Sequence, residues 1–308
     1  MDEPTTASGG QEIIYAHQQA AFDELVAVGR VRFSFSSACP VRMKTSTLIV
    51  APSGSGKTHL SAAVAAELGV PYLRVCISSW MIMGSSGRGG ALTLPRICSF
   101  LRSCRDKEGA VIMIDEIERL GNFATNSWNS SIMLEAFQLL DGILPTNLAD
   151  SESEIPPYAI KEAEHVLRTR TLILAGGAFQ DIWDRRSRPT IGFDAPVYEE
   201  PLPDLGTLAT RLGKEFCNRF RSKIVVMAPL KIEDYSSMLE QAAPKVSPAF
   251  QRTFLRLGEA RLTEACRLGQ GPRFLEELLL DAVLAERAAL VNYKKDTYQS
   301  PQPSVDCF

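Results

Sequence analysis

The residues best suited to chemistry in this chain are the eight from Ala51 to Thr58, Ala-Pro-Ser-Gly-Ser-Gly-Lys-Thr. A Gly/Ser-rich loop followed at once by a lysine and a hydroxyl residue suits phosphate. Glycines let backbone N–H groups approach the oxygens closely, and a helix starting there presents its positive end to the same anion. In this reading Pro52, Ser53, Gly54, Ser55, Gly56, Lys57, Thr58 and His59 form the cradle. Lys57 reaches the β- and γ-phosphates of a nucleoside triphosphate, and the Thr58 hydroxyl holds Mg²⁺. Ala51 stands where the first glycine of the pattern usually falls, while Gly54 and Gly56 keep the positions where backbone must meet phosphate. A second pair, Asp115-Glu116, closes an apolar run. An acid there would hold the Mg²⁺ shell through water, since Mg²⁺ keeps several waters. The next acid would polarise an attacking water as general base. Asp115 takes the first role and Glu116 the second.

Both motifs need strands to aim them. Thr47-Leu48-Ile49-Val50 precedes the loop, and His59 to Leu68 continues as a helix. Residues 71–77, PYLRVCI, predict a second strand, entered through Gly69 and Pro71. Residues 110–116, 171–175 (TLILA) and 224–227 (IVVM) predict three more. Such unbroken apolar runs suit parallel strands buried on both faces, and their alternation with helical stretches predicts an α/β sheet with crossover helices. In such sheets ligands gather at the carboxyl ends of strands, where both motifs lie. Residues 13–28, 91–105 and 131–143 read as helices, and 78–90 as a Gly/Ser-rich loop. Residues 145–165, polar and containing Pro156-Pro157, read as a loop or insertion. After Pro229 only helical pattern remains, at 233–242, 248–268 and 272–291, with Pro272 suited to a first helical turn. The expected organisation is a tail at 1–12, an α/β subdomain at 13–229, an all-helical subdomain at 230–294 and a flexible tail at 295–308.

Composition bounds the class. The 308 residues are 45% hydrophobic and 22% charged, as in ordinary globular proteins, and the net charge of −3 gives no sign of a bulk nucleic-acid or membrane binder. No apolar run reaches the ~18 residues of a membrane helix, and the first residues lack a signal-peptide pattern. Seven cysteines are scattered without a CxxC pair, which argues against a zinc or disulfide framework; a reducing cytoplasm is the expected location.

The order of seven stretches carries a resemblance: LIVAPSGSGKT, ELGVPYLRV, VIMIDEIERL, LILAGGAF, TIGF, EFCNRF with IVVMAPL, and GPRFLEELL. Over about residues 46 to 290 the chain resembles AAA+ ATPases, and within them the ClpX-type protein unfoldases of the Clp and HslU group. The resemblance implies an AAA+ P-loop domain with a five-stranded parallel sheet between helices, followed by a small all-helical lid. It implies ATP and Mg²⁺ as cofactors and a homohexameric ring. Arg219 takes the place of the arginine finger, which reaches the neighbouring subunit's nucleotide. Arg273 takes the place of the sensor-2 arginine that couples the lid to the γ-phosphate. Ala175-Gly176-Gly177 stands at the sensor-1 strand end, leaving no catalytic side chain there.

The same resemblance frames the load. Residues 78–90 stand where unfoldases carry a pore loop, but Ser85 replaces the aromatic that grips polypeptide. Trp80, Met81 and Met83 either supply that grip or pack the loop against the ring. Ile191-Gly192-Phe193 falls where ClpX-like proteins dock on a peptidase ring. Arg88, Lys161 and Arg168 are candidates for facing an anionic ligand. The base-contacting Val-Ile-Gly-Gln run is not recognisable, Phe22 to Val28 occupying roughly its place, and no four-cysteine zinc domain is seen. Two functions remain open: an ATP-driven ring that remodels or unfolds a protein partner, and a non-threading switch or loader that acts on nucleic acid or regulates an effector in a mobile-element or defence system.

Overall fold

The computed structural model describes residues 13–34, 43–80, 93–122, 127–145, 155–186 and 202–298. Ser85, Arg88, Met81, Met83 and the Ile191-Gly192-Phe193 tripeptide lie outside these residues. The chain divides into two compact units, Met1–Pro229 and Leu230–Phe308.

The first unit is built on a sheet of β1 (Thr47–Val50), β2 (Tyr72–Cys76), β3 (Ala110–Asp115), β4 (Thr171–Gly177) and β5 (Val225–Val226). Their order is β2-β3-β4-β1-β5, and every pair is parallel. Strands β1, β3 and β4 are buried along their whole length, which is why they read as continuous apolar runs. Their residues alternate between two cores. Ile49, Val111, Met113, Leu172 and Leu174 pack with Leu25 and Val26 of α1 (Gln19–Ser34) and with Leu60 and Val64 of α2 (Lys57–Glu67). Leu48, Val50, Ile112, Ile114 and Ile173 face the other way. They meet Leu94, Ile97 and Leu101 of α3 (Thr93–Ser103) and Ile132, Ala136 and Leu140 of α4 (Ser127–Leu140). Two helical layers over one parallel sheet is the α/β architecture expected from the sequence.

One expectation is corrected. The stretch read as a loop at 145–165 contains most of α5 (Pro157–Arg170). Its Pro157 sits in the first helical turn, where proline's missing N–H has no intrahelical partner to lose. Ala159, Ile160, Ala163, Val166 and Leu167 form its buried stripe. Residues 146–154 lie outside the described residues. The first helix is also longer than expected: a 3₁₀ turn, Ala16–Gln18, leads into α1, which continues to Ser34. Ile77, taken as the end of a strand, and residues 78–80, taken as the start of a loop, are helical. Arg32, buried near the end of α1, fixes the α5–β4 corner by donating to the carbonyls of Leu167, Arg168 and Thr171. The remaining helices of this unit are α6 (Gln180–Arg186), α7 (Leu205–Leu212) and α8 (Lys214–Cys217).

The second unit comprises α9 (Ile232–Ala242), α10 (Pro248–Leu268) and α11 (Arg273–Tyr298). Tyr235 and Phe274 form its centre, edge to face at 5.9 Å, and the Tyr235 hydroxyl accepts from the Gly271 N–H at 2.9 Å. That bond holds the turn that starts α11. Gly258 lets α10 close on α9, because a Cβ there would lie 2.5 Å from Leu239. The segment 295–308, read as a flexible tail, begins inside α11, and the residues beyond Tyr298 lie outside those described.

Candidate functional site

The loop after β1 turns through Gly54 (φ 81°) and Gly56 (φ 85°), both left-handed, so side chains other than glycine would be strained there. Ser55 holds the turn, its backbone N–H and its hydroxyl both donating to the Pro52 carbonyl. Gly56 is the N-cap of α2, which opens with Lys57 and Thr58. The Lys57 Nζ lies back along the loop and donates to the carbonyls of Ala51 and Pro52 at 2.8 and 3.0 Å. The helix start and loop amides are thus presented to an anion, with an ammonium folded beside them.

Sheet register brings the second motif to the same place. Gly176 of β4 pairs with Ile49 of β1 on one side and with Asp115 of β3 on the other. A Cβ on Gly176 would lie 2.4 Å from Met113 Cε, 3.6 Å from Lys57 Cδ and 3.7 Å from Asp115 Oδ1. The clash is with Met113, whereas Lys57 and Asp115 lie at ordinary contact distance, so the missing side chain of Gly176 leaves room for Met113 beneath the lysine stem and the carboxylate. The Thr58 hydroxyl donates to Asp115 Oδ2 at 2.9 Å, and Asp115 is buried. A hydroxyl and a carboxylate side by side are hard oxygen donors, and they fit a Mg²⁺ ion that takes its other ligands from phosphate and water. Among the described residues no group of three or more His, Cys, Asp or Glu gathers in a way that could hold a metal by itself.

Glu116 follows in a left-handed backbone conformation (φ 61°), rare for a residue with a side chain. The turn separates its carboxylate from that of Asp115. Glu116 Oε2 accepts from the Ser78 hydroxyl, from the Cys76 thiol at 3.2 Å and from Arg119 at 2.8 Å. The Ser78 bond, followed by Cys76 and Arg119, outweighs partial burial and holds the Glu116 carboxyl below the usual range, so it is ionised at neutral pH. Glu118, one turn on, is pushed the opposite way: burial raises its pKa, and its Oε2 is buried without a hydrogen-bond partner.

Sequence reasoning missed one wall of the site. Gln18, fully buried, donates its amide to the carbonyls of Ser55 and Gly56 at 3.3 and 3.4 Å. His17 Nε2 lies 3.5 Å from the Ser55 carbonyl. Tyr15 stacks on His17 and tilts against His59, with ring centroids 6.1 and 6.0 Å away. The residues before α1 thus brace the phosphate loop. Phe22–Val28, which stand in sequence roughly where the base-contacting run belongs, lie in α1, and Leu25 and Val26 belong to the core. The available signal was a polar Gln inside an otherwise apolar-faced start.

Not every candidate meets at this point. Arg219 lines a cavity of about 170 Å³ together with Lys44, Thr45, Ser46, Asp141 and Thr171, at the amino ends of β1 and β4. It is therefore not part of the Lys57 site of its own chain. Its guanidinium lies 4.2 Å over the Phe137 ring and donates to Asp141 at 3.1 Å and to the Glu215 carbonyl at 2.8 Å. Arg273 is exposed at the start of α11, in the second unit. Lys161 and Arg168 are exposed on α5, and Arg168 pairs with Glu164. Trp80 is fully buried and donates its indole N–H to Glu135 at 2.8 Å. It packs the domain interior and leaves no surface for gripping another chain.

Residues 47–145, which contain both motifs, match the model of the ATPase family associated with various cellular activities (AAA). The chain is similar to the ATP-dependent zinc metalloprotease FtsH of Lancefieldella parvula, 34% identical over 90 residues, 29% of this chain and 13% of that relative. The FtsH of Acidimicrobium ferrooxidans is 39% identical over 80 residues, 26% of this chain and 11% of that relative. A longer similarity links it to the ATP-dependent Clp protease ATP-binding subunit ClpX of Treponema denticola, 23% identical over 85% of this chain and 72% of that relative. The similarity to the FtsH proteins thus spans only about an eighth of their length. Among the described residues no helix is long and apolar enough to cross a membrane.

Proposed function

We propose that this chain is an ATP-hydrolysing ring protein that remodels or unfolds a protein partner. The observation that carries the reading is the convergence of Lys57, Thr58 and Asp115 beside Gly176 of β4, with Glu116 the next residue in the chain. Lys57 leaves the Ala51 and Pro52 carbonyls to meet the β- and γ-phosphates, which replace two neutral acceptors with anionic ones. Mg²⁺, when bound through Thr58 and Asp115, neutralises charge on the transferring phosphoryl group. Glu116, ionised and held by Ser78, Cys76 and Arg119, turns from those donors to orient the attacking water and accept its proton. Arg219, remote from the Lys57 site of its own chain, acts on the nucleotide of a neighbouring copy, and a homohexamer is the assembly that supplies one. Arg273 senses the γ-phosphate from the helical unit. The relatives named ATP-dependent proteases and protease subunits support a protein as the substrate class, with Ile191-Gly192-Phe193 as the peptidase-docking element.

The test is Glu116→Gln. The variant is expected to bind ATP and lose turnover by about 10²- to 10⁴-fold, the usual contribution of a general base. Turnover near wild type would remove Glu116 from the mechanism. A second reading, a non-threading switch or loader on nucleic acid, is favoured by the burial of Trp80, which removes one aromatic from the set available to grip polypeptide. ATPase stimulation by unfolded protein or by single- or double-stranded DNA separates the two.

A further inference from the structure

Asp115 has a partner that the nucleotide reading does not use. Edge strand β2 places Cys76 opposite Asp115 and Arg74 opposite Met113, so Arg74 lies on the Asp115 face one step back along the strand. Arg74 Nε and Nη2 both donate to Asp115 Oδ2, at 2.9 and 2.7 Å, and the Thr58 hydroxyl donates to that same oxygen. A carboxylate oxygen has about two lone pairs, so these donors fully occupy Oδ2. The other oxygen accepts the Glu116 N–H. The two partners differ in freedom: the Asp115 side chain is 8% exposed and that of Arg74 is 51% exposed. The acid is fixed, and the base can withdraw into water on a flexible stem.

We propose that Arg74 is a counter-ion latch on Asp115: it holds the carboxylate when no cation is present, competes with Mg²⁺ for Oδ2, and so sets the Mg²⁺ concentration at which the nucleotide site loads. The inference rests on the reading of Lys57, Thr58 and Asp115 as a nucleotide site. Arg74 touches neither nucleotide nor water in this scheme; it acts through Asp115 and is a positioning residue. Guanidinium and cation want the same lone pairs, and only the arginine has somewhere else to go.

The experiment is a Mg²⁺ titration of fluorescent-ADP binding to the full chain, starting from EDTA, in wild type, Arg74→Gln and Arg74→Lys. Removing the fork lowers the half-saturating Mg²⁺ in Arg74→Gln by about 3- to 10-fold, the range of a half-exposed, two-pronged ion pair. Arg74→Lys keeps the charge but loses the fork, and falls between. Fluorescent-ADP affinity in EDTA stays within about 2-fold of wild type, because the latch acts on the cation. An unchanged or higher half-saturating Mg²⁺ in Arg74→Gln overturns the latch. If that variant does not fold, because Asp115 is left buried and unpaired, the lysine variant decides: a half-saturation equal to or above wild type overturns the proposal. Failure of wild type to bind fluorescent ADP at saturating Mg²⁺ overturns the nucleotide-site reading instead.

Discussion

Trp80→Phe tests whether the residue at the edge of the 78–90 stretch anchors the domain. The indole is fully buried, and its N–H is a 2.8 Å donor to Glu135 on α4. Burial raises the Glu135 carboxyl above its ordinary range, and the Trp80 bond opposes that rise. Phenylalanine keeps most of the apolar volume and removes the donor. Once the Glu135 carboxyl is ionised, the hydrogen bond contributes about 1.5–3 kcal/mol, and the smaller ring adds a packing loss, so about 2–4 kcal/mol of stability is lost above the folded pKa. The sign with pH follows from the carboxyl. Its folded pKa is raised, so the ionised form is the disfavoured one; removing the donor raises it further. The loss is therefore smallest below the ordinary carboxylate range and grows as pH rises through the folded pKa. Urea unfolding at acidic and neutral pH measures this, with Glu135→Gln as the second arm of a double-mutant cycle. A loss under about 0.5 kcal/mol at neutral pH, or one that Glu135→Gln does not reduce, refutes the reasoning.

Other expectations follow from the same geometry. Glu118 is a buried carboxyl with a raised pKa and an oxygen lacking a hydrogen-bond partner, so its ionised form opposes folding once pH exceeds the unfolded carboxylate pKa. Glu118→Gln has no proton to lose, and its melting temperature should gain on wild type as pH rises from about 4.5 to 7.5; a constant gap would remove the burial argument. Asp141→Asn deprives Arg219 of one of its two carboxylate partners, Glu215 being the other, and should weaken the first unit by only about 0.5–1 kcal/mol, since Asp141 is partly exposed. Nucleotide affinity should be unchanged and turnover reduced; a loss of affinity would contradict action in trans.

The phosphate loop and the acidic pair are legible in the chain because their chemistry is local. Gly54, Gly56, Lys57 and Thr58 act through contiguous backbone, and buried parallel strands reveal themselves as apolar runs ending where ligands gather. The helix at Pro157–Arg170 was hidden by the opposite effect: Pro156-Pro157 signals a break, yet proline is also a good first helical residue, and only the packed stripe distinguishes the two. Residues 13 to 18 carried no recognised motif, and their contact with Ser55 and Gly56 spans a long stretch of chain.

By itself, then, the sequence determined the parallel α/β framework and the residues equipped for phosphate chemistry, since both follow from periodicity and short-range spacing. Tertiary structure decided which groups share an atom. Parallel register set Arg74 and Thr58 on one oxygen of Asp115, laid Cys76 and Ser78 against Glu116, and put Gly176 between Lys57 and Asp115. It also turned Trp80 inward and parked Arg219 on Phe137 and Asp141. These pairings join residues far apart in the chain, and for Arg74, Cys76 and Asp115 a shift of one residue in strand register would send the side chain to the opposite face.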